Sequence, residues 1–373
     1  MRGGADGDLD AARALLPGVR LEPMGPLGGG ERTSVERVRA LYPDGAAASL
    51  VVKQYRSAGE GWVRESAALA VLPAGARGPR LIEAGDAPPV VILADEGDGP
   101  SVADALLGRD PDSAARAVVA WAEAIARLHA ATRNVRAAFR GELAAREGDV
   151  HVSDAPTAAR IEDAVRLLDR QCGGLGVRVP GGAFDELREL AHRLDGSGTA
   201  ALTPADTCPD NDVLVGDDLV LLDFEDAQWR HVAWDVAYLT VPWPSCWCSW
   251  RLPEPVAAAA VSAYRAIAAT AFPEVAEPVF ERQVEAATVG WCMASAGAWL
   301  DVALAHDPPV TGRGPTPTGR ARLLHRLERA AASPELPATA ELARRLLAGL
   351  VERWGAVPLA FAPAFRQRPG RGQ

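Results

Sequence analysis

Residues 202–211 read Leu202-Thr203-Pro204-Ala205-Asp206-Thr207-Cys208-Pro209-Asp210-Asn211, and residues 221–225 read Leu221-Leu222-Asp223-Phe224-Glu225. Between them lie apolar runs at 212–215 and 219–224 joined by Gly216-Asp217-Asp218, which predicts a β-hairpin closed by Asp223. Asp206 and Asn211 are separated by four residues, and Asn211 is one of two asparagines in the 373-residue chain. A turn holding Asp and Asn is common by itself. What decides the fold is the succession of Asp, Asn, strand, turn, strand and a further Asp.

Moving a phosphoryl group from a nucleoside triphosphate requires an ammonium on the donor phosphates, oxygen ligands for Mg²⁺ and a carboxylate on the acceptor hydroxyl. The Asp206–Asn211 spacing is that of a kinase catalytic loop, and Asp223 stands where a metal-binding Asp would stand. The ammonium has one candidate. Of the 39 basic residues only Lys53 is a lysine, and it ends an apolar strand, Val51-Val52-Lys53. Glu65 lies twelve residues further on, in a predicted helix over 61–72. This is the pairing of a strand lysine with a helix glutamate that aims a lysine at phosphates, with Glu60 as the substitute if the helix is shifted.

Working outward, strands are predicted at 20–24, 34–42 and 48–55, with a Gly28-Gly29-Gly30 turn between the first two, and the three form an antiparallel meander. The glycine turn is not a Walker A loop, because no Gly-Lys-Ser/Thr follows it. After the helix, strands follow at 80–84 and 90–94, and Glu96-Gly97-Asp98-Gly99-Pro100 breaks the pattern. Beyond the break the periodicity is helical at 101–107, 114–131, 155–171 and 183–194, and again at 233–239, 255–271, 279–305, 320–332 and 338–353. The expected fold is α+β and bilobal: a small antiparallel-sheet lobe over 1–97, a large mainly helical lobe over 98–360, and a flexible tail over 361–373.

The net charge of −10 argues against a nucleic-acid binder, whose affinity rests on clustered Lys and Arg. Asp6, Asp8 and Asp10 interrupt any apolar signal stretch, and no run reads as a membrane span, the nearest being 256–261. A cytoplasmic protein without membrane or nucleic-acid partners is expected. The odd number of scattered cysteines, Cys172, Cys208, Cys246, Cys248 and Cys292, reads as reduced thiols. Cys246 and Cys248 with His231 are conceivable metal ligands, but Trp247 and Trp250 make a packed aromatic corner the expectation.

On these residues the chain resembles the aminoglycoside phosphotransferase and choline kinase family, relatives of the protein kinases, from about Leu21 to Trp354. Further matches are Leu27-Gly28-Gly29-Gly30, the 93–100 linker, Leu128-His129 and Trp234-Asp235-Val236-Ala237. The resemblance implies an ATP-dependent phosphotransferase acting on a hydroxyl of a small molecule, amino-sugar-like or another metabolite. It implies Asp206 as base, Asn211 and Asp223 as Mg²⁺ ligands, and Lys53 with Glu65 and the glycine loop on ATP. It further implies a hinge at Asp95 and Glu96 for the adenine, and Asp235 as a brace for the catalytic loop. The family writes His-Gly-Asp where this chain reads Pro204-Ala205-Asp206. That departure motivates the alternative, a weak or inactive pseudokinase serving as a nucleotide-binding regulatory module. Acceptor identity, ATP against GTP and oligomeric state are not encoded in any of these motifs.

Overall fold

The computed structural model describes residues 9–30, 32–148, 150–195, 198–216, 218–241, 246–307 and 316–366. The N-terminal part is a five-stranded antiparallel sheet of order β1-β2-β3-β5-β4. Its strands are β1 (Arg20–Gly29), β2 (Thr33–Leu41), β3 (Ala47–Tyr55), β4 (Leu81–Asp86) and β5 (Pro89–Ala94). Period-two alternation sends successive side chains to opposite faces. Leu50 and Val52 of β3 join Val90 and Ile92 of β5 in a small core on one face. Helix α1 (Asp10–Leu15), which the sequence reading did not foresee, covers that face with Ala11 and Ala12. The opposite face carries Tyr55, Val91 and Leu93 into the main core beneath helix α2 (Glu60–Ala70). Lys53, opposite Val91 in the register, shares the face of Tyr55.

The C-terminal part is helical: α3 (Val102–Leu107), α4 (Pro111–Thr132), α5 (Arg136–Arg146), α6 (Thr157–Leu175), α7 (Ala183–Asp195), α8 (Ala233–Val236), α9 (Glu254–Ala268), α10 (Pro278–Ala305), α11 (Gly319–Ala331) and α12 (Pro337–Trp354). Two two-stranded ribbons interrupt the helices: β6 (Ala200–Thr203) with β9 (Gln228–His231), and β7 (Asp212–Val215) with β8 (Asp218–Leu221). The mixed α+β architecture of antiparallel sheet followed by helices is the one the sequence predicts.

Several boundaries differ. β1 runs on through Gly29 rather than stopping at 24, because bulges at Pro23/Gly25 and Pro26/Gly28 absorb its Pro and Gly residues. The second hairpin strand ends at Leu221, and Asp223 leaves it with φ +60°. Asp217 of the hairpin turn lies outside the described residues. One helix, α10, is long and apolar enough to cross a membrane by length and composition, contrary to the sequence reading, but 61 % of its apolar window is buried in the protein. Within the tail expected from 361 onward, Phe361 bridges Arg251 and the apolar Ala362 and Ala364 are buried. Residues 367–373 of that expected tail lie outside the described residues.

The segment between sheet and helices is tightly seated. Leu214 N–H donates to Pro100 C=O at 3.0 Å, Ala103 N–H to Pro209 C=O at 2.7 Å, and Val102 N–H to Asp212 Oδ1 at 2.9 Å. A Cβ on Gly99 would sit 1.6 Å from the Leu214 carbonyl oxygen, a backbone atom with no room to withdraw. Gly99→Ala is therefore expected to lower the urea-unfolding free energy by about 1–3 kcal/mol or more, the range for overpacking. Gly30→Ala, with nothing within 4 Å of its Cβ, should stay within about 0.5 kcal/mol of the parent.

Candidate active site

The lysine singled out by the sequence is 7 % exposed, yet it faces three carboxylates. Lys53 Nζ lies 2.8 Å from Glu65 Oε2, 2.6 Å from Asp223 Oδ1 and 3.6 Å from Glu225 Oε2. Burial alone would lower the Lys53 pKa, but the charges of Glu65 and Asp223 hold it well above the ordinary lysine value. Glu65, 1 % exposed, also accepts from the Tyr55 hydroxyl and, at 3.2 Å, from the backbone N–H of Phe224. One glutamate on α2 thus fixes both the β3 lysine and the turn that presents Asp223. Glu60 bonds Arg64 one helical turn on, so the helix stands in the register that presents Glu65. Burial and the nearby charge of Asp223 raise the Glu225 carboxyl.

Lys53, Glu65, Asn211, Asp223, Gly28, Gly29, Gly30, Asp95 and Glu96 all line one cleft of about 870 Å³, with apolar walls from Val35, Val51, Leu93 and Val213. Gly29 has φ +127°, and a Cβ there would meet the Thr33 carbonyl oxygen at 2.6 Å, so the β1–β2 turn demands glycine at this position. The Asp95 carboxylate is taken up by Arg37 at 2.7 Å and the Ser49 hydroxyl at 2.5 Å. Its side chain fastens the linker to the sheet instead of reaching toward a ligand.

Asp206 does not line that cleft. It lines a smaller recess of about 330 Å³, together with Cys208, Asp210, Asn211, Asp223, Glu225, Asp226, Cys246, Trp247 and Arg32. Asn211 and Asp223, together with Arg32, Asp210 and Glu225, line both cavities and form the wall between them. The Asn211 amide donates to Asp206 C=O at 3.1 Å, and Asn211 C=O accepts from Leu222 N–H at 2.8 Å. The loop and the strand end that carry Asp206, Asn211 and Asp223 are thereby held in one piece. A larger groove of about 1120 Å³, bordered by α9, contains none of these residues.

A sheet lysine, a helix glutamate, a loop Asp and Asn and a post-hairpin Asp therefore converge across two adjoining cavities. The family model described as phosphotransferase enzyme family matches residues 28–277, about two thirds of the chain. The chain belongs to the phosphotransferase enzyme family. No curated protein shows a significant match to its sequence. Among solved structures it is similar to an ethanolamine kinase from Plasmodium vivax, with 12% identity, 94% of this chain and 85% of that one covered, and a TM-score of 0.50. A choline/ethanolamine kinase family protein from Mesorhizobium loti shows 20% identity, coverage of 90% and 99%, and a TM-score of 0.47. The macrolide 2'-phosphotransferase MphH from Brachybacterium faecium shows 16% identity, coverage of 89% and 98%, and a TM-score of 0.47.

In this phosphotransferase, Pro204-Ala205 enters the loop with Ala205 at φ +67°. Ala205 and Asp223 are the non-glycine residues of positive φ among those described, and both sit at the candidate site. Two bonds hold Ala205: its N–H donates to Thr203 Oγ1 at 2.8 Å, and its carbonyl accepts from Arg230 at 2.8 Å. Arg230 is wholly buried and ion-paired with Asp235. Asp235 in turn meets His129 Nε2 at 3.0 Å, and His129 Nδ1 meets the Tyr264 hydroxyl at 2.9 Å. Burial would raise the Asp235 carboxyl, but Arg230 and His129 hold it below the usual carboxylate range. His129, which the sequence presents as a helix-end residue, is thus the inner link of a buried network. Sequence reasoning missed Arg230, Tyr55 and Glu225, and no local motif distinguishes them.

Arg230→Met removes one partner of a buried pair and is expected to cost about 3–5 kcal/mol in denaturant unfolding. Next to it, burial and then the neighbouring His129 push His231 down to about 3. The unfolded chain takes up this proton near pH 6.5 while the folded chain resists it until about 3, so stability falls as pH drops through that window. His231→Asn should remove about 2 kcal/mol of the loss between pH 7 and pH 5, read as a flatter unfolding free energy against pH.

Proposed function

We propose that this phosphotransferase transfers the γ-phosphoryl group of ATP to a hydroxyl of a small molecule. The observation that carries the reading is the shared wall of Asn211 and Asp223 between a cleft that contains Lys53 and a recess that contains Asp206. The donor set suits Mg²⁺, because Asn211 and Asp223 are oxygen ligands and the cleft holds more carboxylates than the Lys53 charge offsets. Held there, Mg²⁺ would neutralise charge on the phosphates. Lys53, oriented by Glu65, binds the donor phosphates. The Gly28–Gly30 turn lies over them, and Asp95 and Glu96 border the base. Asp206 orients the acceptor hydroxyl and takes its proton. Asp206, Asp210, Asp223, Glu225 and Asp226 line the recess against Arg32, which pairs with Glu225, and this acidic excess favours an acceptor that carries an amine beside its hydroxyl. Five cysteines without a disulfide support a reducing, cytoplasmic setting.

Isothermal titration with Mg·ATP, then turnover against amino sugars and small alcohols, tests this reading. Lys53→Met should weaken Mg·ATP binding. Asp206→Asn should spare it and cut turnover by about two to four orders of magnitude. Asp223→Asn should raise the Mg²⁺ requirement. Equal loss of binding and turnover in Asp206→Asn and Asp223→Asn would overturn these roles, and binding without turnover on any acceptor would favour a regulatory module.

A further inference from the structure

Three of the five cysteines, Cys208 and the neighbouring pair Cys246 and Cys248, meet in one corner beside the recess. Cys208 lies in the loop between Asp206 and Asn211, and Cys246 and Cys248 lie on the segment that leads to α9. All three are at most 4 % exposed, and none is in a disulfide. Cys246 Sγ contacts Cys248 Sγ at 2.9 Å and donates to Asp210 Oδ1 at 3.2 Å. The ligand atoms of Cys208, Asp210 and Cys246 all lie within 4.8 Å of one another.

The packed corner expected from Trp247 and Trp250 is present, with Cys246, Cys248 and Trp250 buried in the main core and Trp247 packed against it, but the polar contacts there go beyond packing. The Trp247 indole N–H donates to Asp210 Oδ2, which turns Oδ1 toward the sulfurs. Trp250 is covered by the Arg366 guanidinium, 4.5 Å from its ring centroid. His231, the other conceivable ligand, instead accepts from Ala233 N–H through Nδ1. Sulfurs that converge on one another and on an oriented carboxylate form a donor set, and the indole bond to Asp210 is the outer bond that typically aims a metal ligand. Positive charge also lies close by. Buried Arg322 donates to Cys246 C=O at 2.9 Å, and buried Arg326 donates to Ser249 Oγ at 3.2 Å.

We propose that Cys208, Cys246, Cys248 and Asp210 form a closed zinc site. It staples the Asp206–Asn211 loop to the segment around Cys246 and Cys248 that leads to α9. Thiolate ligands select zinc over magnesium, which prefers oxygen alone. Zn–S bonds of about 2.3 Å and a Zn–O bond of about 2.1 Å place tetrahedral ligand atoms about 3.5–3.8 Å apart, so shifts of about 1 Å suffice for Cys208, Asp210 and Cys246, while Cys248, in contact with Cys246, has to swing in as the fourth ligand. Four protein ligands leave no open position, so the ion is structural and takes no part in phosphoryl transfer. Binding releases the three thiol protons to solvent as the thiolates coordinate, and the carboxylate of Asp210 completes the set. The site stands independently of the nucleotide reading.

The test uses the full chain. Elemental analysis of protein purified without chelator should give one zinc per chain, and Cys172→Ser should keep it. Stripped protein titrated with Co²⁺ should develop the intense thiolate-to-cobalt charge-transfer band and the visible bands of tetrahedral cobalt. Cys246→Ser and Cys248→Ser should lose that band. Trp247→Phe, which keeps every ligand, should weaken zinc by about 10–100-fold against a chelating indicator. The wild-type cobalt spectrum decides the matter even if the serine variants fail to fold. Absence of a thiolate band in stripped wild-type protein would overturn the proposal. So would an intact mass two hydrogens light, which marks a disulfide, or equal metal loss in Cys172→Ser and Cys246→Ser.

Discussion

The ion cluster around Lys53 is the constraint on which the rest of the site depends. It joins two consecutive elements to a remote one: β3 supplies the ammonium, α2 supplies Glu65, and the turn after β8, far along the chain, supplies Asp223. Four charged groups in a mostly buried place are costly to desolvate, so the cluster persists only while its geometry is complete. Glu65 completes it by accepting from both Tyr55 and the Phe224 amide. The sheet and the helical part are thereby set in a fixed relation, and the cleft between them takes its width from that relation. The three carboxylates outnumber the two cations that meet them, Lys53 and Arg32.

The second device is the buried network beneath the loop. At the loop entrance Pro204-Ala205, Ala205 adopts a backbone conformation that an L-residue enters only at a cost of order 1–3 kcal/mol. Arg230 offsets that cost by donating to the Ala205 carbonyl, and Asp235, His129 and Tyr264 hold Arg230 in place. The loop is braced through its backbone, from β9, by an arginine that the sequence does not advertise. Within the loop, the Asn211 amide donates to Asp206 C=O and ties the two residues together. On the far side of the same loop, the corner of Cys208, Asp210, Cys246 and Cys248 offers a second point of attachment.

What the sequence by itself determined is whatever short-range spacing and composition carry. The interval between Asp206 and Asn211, the hairpin before Asp223, a lone lysine at the end of an apolar strand and a glutamate on the next helix are all local, and local geometry follows from local sequence. The alternating strands and periodic helices are legible for the same reason, apart from ends displaced by bulges in β1 and by the early stop of β8, and apart from α1, α5 and the β6–β9 ribbon, which the patterning did not single out. Only the tertiary structure decided the rest. It chose Glu65 over Glu60 through helix register, since Glu60 is spent on Arg64. It recruited Arg230 to Ala205, Glu225 to Lys53 and Asp210 to the cysteines. Those contacts, across chain separations that no motif spans, are set by how sheet, helices and loops pack around the core, and a buried charge or thiol has no partner until that packing supplies one.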